Sequence, residues 1–98
     1  MAQPLKIRWL RRAIANLEAE AAFIAEERPE AAATVVTRIV EAVELLAEQP
    51  ALGRSGRVVG TRELVVAGTP YLVPYRVRRD AVEILRVFHT ARRPPKTW

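Results

Sequence analysis

The sequence predicts an α+β fold: an N-terminal strand, an antiparallel helical hairpin, and then a three-stranded, mainly antiparallel sheet. Three observations carry this. Leu5, Ile7 and Trp9 alternate with Lys6 and Arg8, the period-2 pattern of a short strand with one buried face. Two stretches with apolar residues at helical spacing follow, divided by Arg28-Pro29. Then Gly60 to Arg92, GTRELVVAGTPYLVPYRVRRDAVEILRVFHTAR, reads as strand, turn, strand, turn, strand.

The first helix is expected from about Arg11 to Glu27, with Ile14, Leu17, Ala21 and Ile24 as its apolar stripe. Pro29 breaks the chain and suits the first turn of a second helix, where a missing N–H costs nothing. Arg28 is a poor N-cap. The second helix is expected from about Pro29 to Gln49. Ala32, Val35, Val36, Ile39, Val43 and Leu46 fall on one face, and Glu30, Thr37, Arg38, Glu41, Glu44 and Glu48 mainly on the other. Pro50 ends it, and Pro50 to Gly56 reads as a loop. The hairpin's apolar stripe needs a partner, and the sheet is the only candidate.

The sheet strands are expected at Val58–Val66, Tyr71–Val77 and Ala81–His89, with turns at Ala67–Pro70 and Arg78–Asp80. In the middle strand Tyr71, Val73, Tyr75 and Val77 share one face, and Leu72, Pro74 and Arg76 the other. Pro74 removes a ladder donor, so a bulge or an unpaired edge is expected there. Residues 92–98, with Pro94-Pro95, form a basic tail that is either disordered or docked through Trp98. There is no internal repeat and no linker, so residues 1–98 read as a single domain.

Charge divides sharply along the chain. The net charge is +5. Met1 to Gly53 holds 6 basic and 8 acidic residues, whereas Arg54 to Trp98 holds 10 basic and 3 acidic. Of the 16 basic residues 14 are arginine, whose planar donor fork suits phosphate and carboxylate. Such a face favours an anionic partner, either nucleic acid or an acidic protein segment; the alternative is a solvated surface that keeps the protein soluble. The chain has no cysteine, which excludes disulfides and thiolate chemistry. Neither a signal-peptide pattern nor a membrane-spanning stretch is present, so a cytoplasmic location is expected.

The element order strand, two helices, three strands, with LLAEQPALGR, GTRELVV, YLVPYRV and DAVEILRVFHTAR, resembles the RelE/ParE superfamily of bacterial toxins from about Leu5 to Arg93. The resemblance implies the toxin half of a type II toxin–antitoxin pair, in hetero-oligomeric complex with a cognate antitoxin. RelE-like members cleave messenger RNA on the ribosome; ParE-like members poison DNA gyrase. RelE-like nucleases carry an arginine where this chain has Leu72; many carry a tyrosine or a histidine-tyrosine pair near the C-terminus, where this chain has His89 followed by Thr90. A lysine pair of some members is replaced by Arg62 and Glu63. The run LRVFHTAR looks more ParE-like. The resemblance therefore implies a ParE-like gyrase inhibitor, with a RelE-like mRNA endonuclease as the alternative. A basic binding module without toxicity is the third reading.

The candidate partner- or target-binding residues are Arg62, Arg76, Arg86, His89, Arg92 and Arg93. Arg62, Arg76 and Arg86 form either a shared basic face or cross-strand pairs with Glu63 and Glu83. His89, the only histidine, is either an acid–base group or a strand-end residue bonded to a backbone carbonyl. Only a nuclease would use it catalytically. Arg78 and Arg79 read as solvated turn charge. Trp9, Tyr71 and Tyr75 are read as core rather than stacking platforms. One histidine with no cysteine gives no metal-ligand set, and no phosphate-cradling glycine loop is present, so no cofactor is expected.

Overall fold

The structure, a computed structural model, describes residues 3–98. Strand β1 (Lys6–Trp9) leads into helix α1 (Arg11–Ala25) and helix α2 (Pro29–Glu44). A single 3-10 turn, Leu45–Ala47, follows. The remaining strands are β2 (Arg54–Ser55), β3 (Arg62–Val65), β4 (Tyr71–Arg78), β5 (Ala81–Ile84) and β6 (Phe88–His89). The sheet order is β1-β5-β4-β3-β2, with β6 also on β4. β1 runs parallel to β5, and all other pairs are antiparallel.

The predicted architecture is the observed one, with local corrections. Helix α1 ends two residues before Glu27, and α2 tightens to 3-10 at Leu45 rather than reaching Gln49. Pro29 opens α2 as expected, and Arg28 supplies no side-chain cap. The first sheet strand is shorter than Val58–Val66, because residues 58–60 lie in bends and turns around the positive-φ Gly60. Part of the expected Pro50–Gly56 loop is instead the two-residue strand β2.

The expected strand Ala81–His89 is two strands, and Pro74 explains the break. Tyr75 pairs with Ile84, whereas Leu72 pairs with Phe88. Three steps on β4 thus face four on its partner, the signature of a one-residue bulge. Pro74 sits in the gap. Its carbonyl still accepts the Leu85 amide at 2.9 Å, but it has no N–H to return. The bulge expected at this proline therefore forms in the strand opposite.

The hairpin packs on one face of the sheet. Ile39, Val43 and Leu46 of α2 and its 3-10 turn meet Leu64, Val73, Tyr75, Val82 and Ile84. Each such aliphatic side chain contributes about 1.5–3 kcal/mol when fully buried. Tyr71 and Tyr75 are buried here, and Trp9 packs against the same cluster. The α2 stripe is as predicted. On α1, Leu17 and Ile24 pack against this core as predicted, but Ile14 at the start of the stripe is exposed, and Ala13 and Glu20 are buried beside it. An inward glutamate carries no hydropathy signal, so the apolar stripe alone did not show the full buried face.

The tail docks rather than trailing free. The Trp98 ring meets Phe88 edge-on at 5.4 Å between centroids. The Arg57 guanidinium lies 4.8 Å over the Trp98 ring and donates to the Pro95 carbonyl at 3.2 Å. Arg12 of α1 donates to the Trp98 carbonyl. No helix of the described residues is long and apolar enough to cross a membrane.

Candidate functional site

His89 lies at the edge of a small cleft between the sheet and α1. The bulge after Ile84 and the return of β6 onto β4 bring it there. Tyr71, its partner in register, stands edge-on to it at 5.3 Å. Thr90 fixes the segment beyond, donating to the Pro70 carbonyl through its amide at 2.9 Å and its hydroxyl at 3.0 Å. The cleft has a volume of about 330 Å³ and is lined by Glu20, Phe23, Tyr71, His89 and Arg92, among others.

The polar groups of this cleft are largely committed. Glu20 is buried and binds the Arg92 guanidinium, Oε2 to Nη2, at 3.1 Å. Nδ1 of His89 accepts the Ala91 amide at 3.1 Å. In neutral His89 the ring proton therefore sits on Nε2. The expected backbone partner was a carbonyl; it is an amide, because the chain turns back at residues 90–92. Burial, and then the neighbouring Glu20 carboxylate, raise the Tyr71 pKa above 10.0, with Arg92 opposing. Tyr71 thus stays neutral at physiological pH. Sequence reasoning placed Tyr71 in the core, where it lies, but not beside His89, and it missed Glu20. The sequence signal for Glu20 is an acid three residues from Leu17 and four from Ile24, within the apolar stripe.

The three strand arginines do not share a face. Arg62 points along the hairpin side of the sheet and donates to the Gly53 carbonyl at 2.8 Å. Arg76 lies on the opposite face, its Nε 2.6 Å from Glu83 Oε1, in the cross-strand pair anticipated with Glu83. Arg86 sits within the bulge and donates to Asn16 Oδ1 at 2.8 Å. Burial, and then the neighbouring Arg12 guanidinium, lower its pKa from the ordinary arginine value. Glu63 pairs with Arg54, opposite it on β2, and with Arg57, rather than with Arg62, Arg76 or Arg86. Period-2 alternation could not foresee the bulge that turns Arg86 towards α1. Arg93 is exposed and forms no ion pair among the described residues.

The Leu72 position is chemically silent. Leu72 is 6% exposed and faces Phe88 across the β4–β6 ladder. It offers no donor to a phosphate. Among the described residues no three of His, Cys, Asp and Glu converge as metal ligands. The arrangement thus offers one imidazole, a neutral phenol and an arginine held by a buried carboxylate, beside a surface rich in guanidinium donors.

A helical hairpin on a bulged, arginine-rich mixed sheet defines a toxin of the RelE/ParE superfamily. More narrowly, the chain belongs to the ParE toxin family of type II toxin–antitoxin systems, parDE, which matches residues 7–94. It is 52% identical over 91 residues to Y4kP of Sinorhizobium fredii (strain NBRC 101917 / NGR234), named as a candidate toxin, covering 93% of this chain and 94% of that one. It is 39% identical over 84 residues to toxin RelE2 of Caulobacter vibrioides (strain ATCC 19089 / CIP 103742 / CB 15), covering 86% and 93%. A solved structure of the chromosomal ParDE system from P. aeruginosa matches with a TM-score of 0.82 at 31% identity, over 90% of this chain and 98% of that chain. The protein is therefore the toxin of a type II toxin–antitoxin system, and a cognate antitoxin is its partner.

Proposed function

We propose that this toxin arrests growth in the cytoplasm by binding DNA gyrase, performing no chemistry of its own. The observation that carries this reading is the Leu72–Thr90 pair of positions. RelE-like nucleases resemble one another in placing a phosphate-binding arginine at the first, and some place a tyrosine at the second. Here one is a buried leucine, and the other spends its hydroxyl on the Pro70 carbonyl. Losing one well-placed electrostatic donor costs about 10²–10³ in rate, so losing two leaves little RNA cleavage. The likeness to the P. aeruginosa ParDE system agrees with this direction.

The cognate antitoxin is read as presenting an acidic or amphipathic segment to the sheet and hairpin. Phe23 and Ile14, exposed on α1, supply apolar surface for it. The exposed Arg93 is available for its carboxylates or for the target.

A messenger RNA endonuclease is the second reading. His89, Tyr71 and Arg92 around one cleft are the residue types such cleavage uses, and one relative is named RelE2. Primer extension on messenger RNA from intoxicated cells separates the two. The gyrase reading expects DNA-damage signalling before messenger loss, with toxicity retained in His89→Ala. Discrete cuts within codons that vanish in His89→Ala would replace it with the nuclease. Normal growth at verified soluble expression would favour a binding module without toxicity.

A further inference from the structure

The sheet face turned away from the helices ends in a cationic pit. Register sets Arg8, Glu83 and Arg76 side by side across β1, β5 and β4, and Lys6, Ala81 and Arg78 in the adjacent row. Ile7, Val82, Ile84 and Tyr75 belong to the core on the other face, so these six side chains share the outer one. Ala81 is the smallest of the six and is buried, which leaves a depression at the middle of its row. Arg8, Arg78, Arg79, Asp80 and Glu83 surround it, and the cavity measures about 510 Å³.

The charges around the pit are unequal. Among the described residues, Arg8, Arg78 and Arg79 line it with Asp80 and Glu83, and register places Lys6 and Arg76 beside them on the same face. Glu83 holds Arg76 at 2.6 Å and Arg8 at 3.6 Å, and Asp80 holds Lys6 at 3.7 Å. Arg78 and Arg79 are exposed and form no ion pair among the described residues. The Glu83 carboxyl is held below its ordinary pKa by Arg76 first, and by Arg78 and Arg8 with it, so the field of all three converges here.

The geometry points to a phosphate-binding site at this pit, occupied by the sugar–phosphate backbone of a nucleic acid. Arginine forks match phosphate oxygens in pairs; Arg8 and Arg78 stand on β1 and β4, and Arg79 follows in the tight turn into β5. The lining argues against a protein partner. Protein interfaces gain most of their energy from buried aromatic and aliphatic anchors, and among the described residues Ala81 is the only apolar one lining the pit. Nucleic-acid interfaces are polar and strongly positive, as this one is. With no ring to stack on a base, the contact is independent of base sequence. Arg78 and Arg79 thus acquire a role beyond solvated turn charge. The site is separate from the His89 cleft and from the gyrase reading, since it needs neither.

The test uses the free full chain and a short fluorescent DNA duplex of arbitrary sequence, followed by anisotropy between about 50 and 200 mM salt. The double variant Arg78→Ser, Arg79→Gly removes both unpaired cations. Arg79 has φ 56°, in the left-handed region, so glycine there relieves the backbone instead of straining it. Its urea midpoint verifies the fold. The expected result is a loss of roughly tenfold or more in affinity, with the log–log salt slope shallower by about 1–2. Asp80→Asn should shift binding the opposite way, towards tighter. Unchanged affinity and slope in the folded double variant would overturn the proposal. So would binding of inorganic phosphate without duplex binding. An acidic peptide that outcompetes the duplex at the same arginines would reassign the pit to a protein partner. No gyrase is present, so these outcomes are independent of the toxin's cellular target.

Discussion

Glu20 in the middle of α1 and Arg92 beyond β6 meet at 3.1 Å across 72 residues of chain. This pair ties the C-terminal segment to the helical hairpin and closes one side of the His89 cleft. The carboxylate is buried, whereas the guanidinium is 58% exposed. The two partners therefore respond differently to mutation. Removing the arginine strands a buried charge, while removing the glutamate frees a solvated one.

Arg92→Ala should lower stability by about 1–2 kcal/mol, a value kept small because solvent screens the exposed partner. Adding Glu20→Gln should recover part of it. Urea denaturation of the single and double variants measures this. Equal midpoints for wild type and Arg92→Ala would show that the pair contributes nothing to the fold.

Toxicity should follow the basic C-terminal region more than the histidine. Arg93→Ala, which touches no buried partner, should weaken growth arrest more than His89→Ala does. Arg92→Ala is compared in the Glu20→Gln background, so that instability is not mistaken for lost target contact. Colony counts after induction, at matched soluble protein, decide it. Full toxicity of Arg93→Ala beside a harmless His89→Ala would reverse this ordering.

Tyr75→Phe should destabilise the protein by about 1–3 kcal/mol. The Tyr75 hydroxyl accepts the Gly53 amide and donates to the Pro50 carbonyl, both at 2.8 Å. Phenylalanine leaves those buried groups without partners. Burial is the larger influence on the phenol and raises its pKa above 10.0, with the Gly53 amide and Arg62 opposing. Gly53→Ala should act on the same contact, since a Cβ there would stand 2.6 Å from a Tyr75 ring carbon. An unchanged urea midpoint in Tyr75→Phe would show that this loop anchor does not hold the fold.

Acid should weaken the sheet through Glu83. Its folded pKa lies below the ordinary 4.5, chiefly because Arg76 binds the carboxylate. A depressed carboxyl contributes stability that is fully present above its unfolded pKa and is lost as pH falls through the folded one. Stability should therefore be level above about pH 5 and decline below about pH 4. Glu83→Gln should start less stable and show a shallower decline. Parallel acid profiles for variant and wild type would assign the acid sensitivity to other groups.

Element order was legible in the sequence alone. Helical and strand periods are properties of consecutive residues, and Pro29, Pro50 and the turns at residues 67–70 and 78–80 mark the breaks. The α2 stripe from Ala32 to Leu46 and the inward Tyr71, Val73 and Tyr75 followed from the same local logic. What separated the candidate residues was decided elsewhere. Only the ladder shows that Pro74, lacking an N–H, interrupts the strand opposite, and that the resulting bulge turns Arg86 towards Asn16. Only packing shows that Glu20, an acid in an apolar stripe, is turned inward to meet Arg92. Only register gathers Arg8, Arg76 and Arg78 around Ala81. Each of these joins residues distant in sequence, and such pairings arise from a global balance of burial, hydrogen bonding and charge that no local period records.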